Sequence, residues 1–146
     1  MAKRAPAQPY ERTQPLMRVR VLIADDHQLV VEGVVALLRS SFDVVGTASS
    51  GQELISEATR LAPDVIVADI TMPGLTGIEA AHQLMEAGST AKFVFLTIHP
   101  EGEFIAACMA EGALGYILKS HMKTDLIPAI NAAISGRTFI SPGVSR

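Results

Sequence analysis

Val65-Ile66-Val67-Ala68-Asp69-Ile70, positions 65 to 70, opens with an unbroken apolar run that ends on a carboxylate. A strand with one wet face alternates apolar and polar side chains, whereas a continuous apolar run marks a strand covered on both faces, as in a parallel sheet with helices above and below. Phe93-Val94-Phe95-Leu96 repeats the pattern and is followed by Thr97. Working outward, strands are predicted at Val19 to Ala24, Phe42 to Thr47, Val65 to Ile70, Phe93 to Thr97 and Gly115 to Leu118.

Helix-period segments lie between them. Ser50-x-x-Glu53 and Thr76-x-x-Glu79 have the spacing of capping boxes, in which a hydroxyl and a carboxylate satisfy the first free backbone N–H groups. Pro100, ahead of Glu101 and Glu103, suits a first helical position, and Gly88 and Gly112 suit helix ends. The last segment, Thr124 to Ser135, contains Pro128, which has no N–H for an interior helical bond, so the helix is expected either to start late, near Asp125, or to bend. Alternating strands and helices predict an α/β class, a flavodoxin-like doubly wound five-stranded parallel sheet of order 2-1-3-4-5 with five helices.

The chain has 146 residues, enough for one domain with a substantial core. It is 49% hydrophobic, 18% charged and 5% aromatic, which excludes a disordered chain, a collagen-like fibre and an aromatic-rich nucleic-acid platform. Cys108 is the single cysteine, so no internal disulfide or multi-cysteine zinc site can form, and a cytoplasmic setting is the default. No apolar run approaches the roughly 20 residues of a membrane helix. Residues 1–16, with Pro6, Pro9 and Pro15 and no periodicity, read as a disordered extension ahead of a start at Met17. The domain is expected over 17–142, with 143–146 as the start of a linker. The net charge of −3 divides into +4 over residues 1 to 20 and −7 over the rest, and so acidic a body repels a phosphate backbone.

In a doubly wound sheet ligands bind beyond the carboxyl ends of the strands, where this chain places Asp25 and Asp26, Asp69, Thr97 and Lys119. Converging carboxylates raise one another's pKa unless a cation sits among them. Oxygen donors without clustered His or Cys favour Mg²⁺ or Mn²⁺, with Asp25, Asp26, Asp69 and the Thr71 carbonyl as candidate ligands. Lys119 and Thr97 add an ammonium and a hydroxyl suited to phosphoryl oxygens, leaving Asp69 as a candidate covalent phospho-acceptor. The plainer alternatives are that Asp25 and Asp26 cap the following helix and that Lys119 forms a simple salt bridge to Asp69.

Four stretches are together highly specific: Val21-Leu22-Ile23-Ala24-Asp25-Asp26-His27, Asp64-Val65-Ile66-Val67-Ala68-Asp69-Ile70-Thr71-Met72-Pro73-Gly74, Leu96-Thr97-Ile98-His99, and Gly112-Ala113-Leu114-Gly115-Tyr116-Ile117-Leu118-Lys119. From Arg18 to about Pro142 the chain resembles the receiver domain of bacterial two-component response regulators of the NarL/FixJ (LuxR-type) family. The resemblance implies transfer of a phosphoryl group from a sensor histidine kinase to Asp69, with Mg²⁺ (or Mn²⁺) held partly by Asp25 and Asp26. Thr97 and Lys119 would engage the phosphoryl oxygens, and Tyr116 would rotate with Thr97 as a switch. Thr71 and His99 stand where dephosphorylation is modulated. Tyr116 could instead be a half-buried strand aromatic with a solvated hydroxyl, and His99 a polar loop residue. Such a chain is no enzyme on other substrates; it catalyses only its own phosphoryl transfer and slow dephosphorylation. A phosphorylation-dependent homodimer is implied, and DNA would be reached only through an output domain outside this chain. Gly136-Arg137-Thr138-Phe139-Ile140-Ser141-Pro142 is similar to that family's entry into a linker, so the chain reads as a receiver cut from a longer transcription regulator, or a stand-alone one. Leu75-Thr76-Gly77, where the family commonly has Asp-Gly, and Pro128 depart from the pattern.

Three rivals remain. A haloacid-dehalogenase-type phosphatase needs a second Asp two residues after its nucleophile, and here that residue is Thr71. A flavodoxin-like cofactor binder needs a phosphate cradle where this chain has Asp25-Asp26. An unphosphorylated interaction module would keep the fold alone.

Overall fold

A computed structural model describes residues 18–144; the expected extension over 1–16 and the last two residues of the expected linker lie outside them. In chain order the elements are β1 (Arg20–Ala24), α1 (Gln28–Leu38), β2 (Asp43–Ala48), α2 (Gly51–Leu61), β3 (Val65–Asp69), α3 (Gly77–Glu86), β4 (Lys92–Thr97), α4 (Ile105–Ala110), β5 (Gly115–Leu118), α5 (Met122–Ile134) and β6 (Phe139–Ile140). A single 3-10 turn, Lys119–His121, joins β5 to α5.

All strand pairs are parallel, in the order β2-β1-β3-β4-β5-β6. The predicted 2-1-3-4-5 order is present, and a sixth strand extends it. Phe139-Ile140, expected only as the entry to a linker, pairs with Gly115 and Tyr116 and closes the β5 edge.

Successive side chains of a strand point to opposite faces, and the core divides accordingly. Leu22, Ala24, Ile66, Ala68, Phe93, Phe95 and Tyr116 meet α2, α3 and Cys108 of α4 on one face. Val21, Ile23, Val65, Val67, Val94, Leu96 and Ile117 meet Val34 and Leu38 of α1 and Leu126, Ala129, Ile130 and Ala133 of α5 on the other. The unbroken apolar run of β3 is thus explained, because every residue of Val65–Asp69 is buried.

Local signals fared unevenly. Thr76 and Glu79 form a complete capping box on α3. At α2 the Ser50 hydroxyl accepts from Glu53 N–H, but the Glu53 carboxylate accepts from Ser49 N–H, one residue before the expected partner. Gly88 and Gly112 take positive φ beyond the ends of α3 and α4, where a Cβ would be strained. Pro100 does not begin a helix: α4 starts five residues later at Ile105, after a turn. Of the two expectations for the last helix, the late start is not met. It starts at Met122, earlier than Asp125, and runs helically past Pro128.

Candidate functional site

The carboxyl ends of β1, β3, β4 and β5 bring Asp25, Asp69, Thr97 and Lys119 together. Asp25 and Asp69 are 1% and 4% exposed, so these charges are held in a largely water-free crevice. Lys119 Nζ lies 2.8 Å from Asp25 Oδ2 and 3.2 Å from Asp69 Oδ2, bridging two strand ends. The simple Lys119–Asp69 pair weighed from the sequence is therefore a three-member network. Asp69 Oδ1 accepts the Thr71 N–H at 3.2 Å, which orients the carboxylate.

Electrostatics follow from burial. Desolvation pushes the Asp69 carboxyl above the usual range; the Lys119 charge opposes this and the Asp25 charge adds to it. Burial disfavours the Lys119 ammonium, but its hydrogen bond to Asp25 and the charges of Asp69 and Asp25 prevail and raise its pKa.

Asp26 is exposed at the mouth of the crevice. Carboxylate oxygens of Asp25, Asp26 and Asp69 and a ring nitrogen of His27 all lie within 4.8 Å of one another. His27 was not anticipated: its Nδ1 is 3.1 Å from Asp25 Oδ1 and 3.3 Å from Asp26 Oδ1. Its position next to the Asp pair was the available signal. Neither aspartate caps α1, whose N-cap is His27 with no side-chain bond; Asp25 Oδ1 instead accepts the His27 N–H at 2.8 Å.

Thr97 is buried and its Oγ1 accepts the His99 N–H at 3.0 Å. The His99 ring packs edge-on against Phe104, with centroids 5.7 Å apart. Thr71 is exposed and His99 half-buried at the rim. Tyr116 is not a half-buried aromatic with a wet hydroxyl: it is fully buried. Its hydroxyl has no aligned hydrogen-bond partner. Burial raises the phenol's pKa, against a smaller lowering influence from Thr97 and the Phe104 backbone.

A parallel sheet of this order with a lysine-bridged aspartate at the end of its third strand defines a receiver-type signalling domain. Residues 21–131 match the response regulator receiver domain family, and the chain belongs to it. It is 35% identical over 130 residues to the response regulator GacA of Pseudomonas viridiflava, an alignment covering 88% of this chain and 61% of that protein. The chain therefore spans about three fifths of that relative's length. A LuxR-family two-component response regulator from Aurantimonas sp. SI85-9A1 superposes with a TM-score of 0.82 at 32% identity, covering 88% of this chain and 93% of that one. The isolated REC domain of RcsB from Salmonella enterica serovar Typhimurium, solved with the phosphomimetic BeF3-, gives a TM-score of 0.79 at 27% identity, covering 88% and 96%.

Proposed function

We propose that Asp69 accepts a phosphoryl group from the phosphohistidine of a sensor histidine kinase, and that the added charge switches the face built by α4, β5 and α5. The observation that carries this reading is the Asp69 carboxylate at the end of β3, 3.2 Å from Lys119 Nζ and within 4.8 Å of the Asp25 and Asp26 oxygens.

An Asp69 oxygen attacks phosphorus as the donor's N–P bond breaks; the imidazole nitrogen leaves with the electron pair and takes a proton from solvent. Thr71 N–H holds Asp69 Oδ1 in place during the approach. Lys119, already against Asp69 Oδ2, stays beside the transferred group and pairs with its oxygens. The Thr97 hydroxyl, which now accepts from His99 N–H, has its own proton free to donate to another phosphoryl oxygen. Its inward pull draws on Tyr116, whose buried hydroxyl has no aligned hydrogen-bond partner. Thr71 and His99 at the rim govern water access and hence dephosphorylation.

The donor set suits a hard divalent cation: three carboxylates, with Asp25 Oδ2 buried and making no hydrogen bond beyond its ion pair to Lys119. Asp25, Asp26, Asp69 and the Thr71 carbonyl would hold Mg²⁺ or Mn²⁺. Such an ion, when bound, supplies the positive charge that screens the carboxylates from phosphoryl oxygens.

On this reading the chain is not an enzyme for a separate substrate but catalyses its own phosphoryl transfer and slow dephosphorylation. Residues 17–142 are the receiver, 143–146 begin a linker and 1–16 are an extension. The part of GacA beyond the match leaves room for an output domain that carries DNA binding and transcription regulation. RcsB, a structural neighbour at 27% identity, has been solved as two dimers bound to two parallel DNAs, which supports the reading that phosphorylation promotes a homodimer acting on paired half-sites. Among the described residues no helix is long and apolar enough to cross a membrane. The one cysteine, buried and free, suits the reducing cytoplasm.

The test is intact mass after incubation with acetyl phosphate and Mg²⁺, with Asp69→Asn and a chelated sample alongside. One added phosphoryl group, missing from both controls, is expected. No addition, with rapid hydrolysis excluded by the absence of BeF3- binding, would leave an interaction module.

A further inference from the structure

We propose that Ser141 is a positioning residue for Lys119 and that, through it, β6 and the acid crevice respond to one another; this rests on the role of Lys119 proposed above. The ladder between β5 and β6 pairs Gly115 with Phe139 and Tyr116 with Ile140, and Ser141 N–H donates to the Tyr116 carbonyl at 2.9 Å. The strand pairing then stops, which would leave the Leu118 N–H without a ladder partner. The Ser141 hydroxyl accepts it at 3.1 Å. That hydroxyl in turn donates to Asp125 Oδ2 at 2.7 Å, and Asp125 Oδ1 accepts the Thr124 hydroxyl at 3.1 Å. Ser141 and Asp125 are 2% and 8% exposed, so water does not readily replace these bonds.

The two groups that Ser141 holds are the two ends of one short segment. Leu118 immediately precedes Lys119, and Asp125 lies in the first turn of α5, just past the 3-10 turn that Lys119 opens. A single hydroxyl therefore grips both sides of the stretch that carries the bridging ammonium. Its single proton is committed to the carboxylate, and one of its lone pairs accepts the amide N–H, which can only donate, so the direction of both bonds is fixed. Ala supplies neither function at this position, whereas Thr supplies both. The same segment packs Ile140 and Val144, both partly buried, against the core on one face of the sheet and the half-buried Phe139 against the core on the other. A force that lifts β6 releases the Leu118 amide, and a shift of Lys119 toward a phosphoryl group tugs on β6. Coupling of this kind is reciprocal.

The experiment uses the full chain as wild type, Ser141→Ala and Ser141→Thr, reading the Leu118 amide exchange rate, the rate of phosphorylation by acetyl phosphate and the Mg²⁺ affinity. In Ser141→Ala, Leu118 exchange is expected to quicken and phosphorylation to slow, each about tenfold, with Mg²⁺ affinity unchanged. Ser141→Thr is expected to restore both rates. BeF3- is expected to change Ser141 amide exchange in the wild type and not in Ser141→Ala. Unaltered phosphorylation in Ser141→Ala, or failure of Ser141→Thr to restore both rates, overturns the proposal. Should Ser141→Ala not fold, Asp125→Asn decides: a smaller shift of both rates in the same direction supports it, and a lower Tm with both rates intact overturns it. A wild-type chain that is never phosphorylated sinks the Asp69 reading; a phosphorylated wild type with an equally fast Ser141→Ala sinks only the role of Ser141.

Discussion

Helix α3 follows the strand that carries Asp69, and α4 follows the strand that carries Thr97. The first runs ten residues, starts on a complete capping box and buries Gly77, Ala80, Ala81 and Leu84. The second runs six residues from Ile105, has Phe104 as an N-cap without a side-chain bond and buries only Cys108. Between β4 and α4 lies a turn-rich stretch with Ile98 70% exposed, whereas the stretch between β3 and α3 buries Ile70 and Met72. The crevice thus has one wall fixed by packing and caps and one held by few buried contacts. A wall of low local stability is where a small energetic input at the acid centre can produce displacement.

The largest way to break this contrast is at Gly77, where a Cβ would run into the backbone carbonyl of Asp69. Gly77→Ala is expected to cost about 3 kcal/mol in urea unfolding, because backbone on both sides must move. A variant as stable as wild type would mean that α3 is not pinned beneath Asp69. Next comes the cap: Thr76→Ala is expected to lose about 1 kcal/mol, with faster amide exchange confined to the start of α3. The α4 amides should already exchange faster than those of α3 before any substitution.

A smaller effect is expected from Tyr116→Phe, which removes a buried hydroxyl with no aligned partner. Its stability should match wild type or exceed it by up to about 1 kcal/mol. A loss of that size would show that the hydroxyl is anchored and the α4 wall firmer than described.

The smallest effect sharpens the comparison, because it ties the two helices together. His82 of α3 sits with Nδ1 2.9 Å from Glu111, just past α4, and Nε2 3.5 Å from Glu86. The hydrogen bond that the ring donates to Glu111, then the charge of Glu111 and that of Glu86, raises the His82 pKa. A raised folded-state value stabilises at pH below the unfolded value of about 6.5 and fades as pH rises through the folded one. The Tm difference between wild type and His82→Gln should therefore be present at low pH, vanish at alkaline pH and shrink with salt, as befits an exposed pair.

Most of the fold was legible because the strands speak locally: the apolar runs at Val65 and Phe93 carry their own burial pattern, and Asp25, Asp69, Thr97 and Lys119 fall directly after such runs. What escaped depends on partners distant in sequence. Phe139-Ile140 is too short to read as a strand and becomes one only against the open edge of β5. The Ser141 contact to Leu118 spans 23 positions. The start of α4 misled because Pro100 fits a helix start by propensity, while the chain uses it in a turn before Ile105. Tyr116 sits on a strand of four residues, all buried, where alternation offers no clue to which face is covered. Lys119 was legible as a partner of Asp69, but its contact with Asp25 needed the spacing of β1, β3 and β5.

The placement of Ser141 also bears on how the domain is made. Chains emerge from the ribosome amino terminus first. Asp25, Asp69, Thr97 and Lys119 are all synthesised before Ser141 is added. A nascent chain paused just before that serine owns every reactive group yet lacks the hydroxyl that holds the segment around its lysine. The last of the six strands of this sheet to be synthesised therefore brings the hydroxyl that completes the hold on the lysine segment.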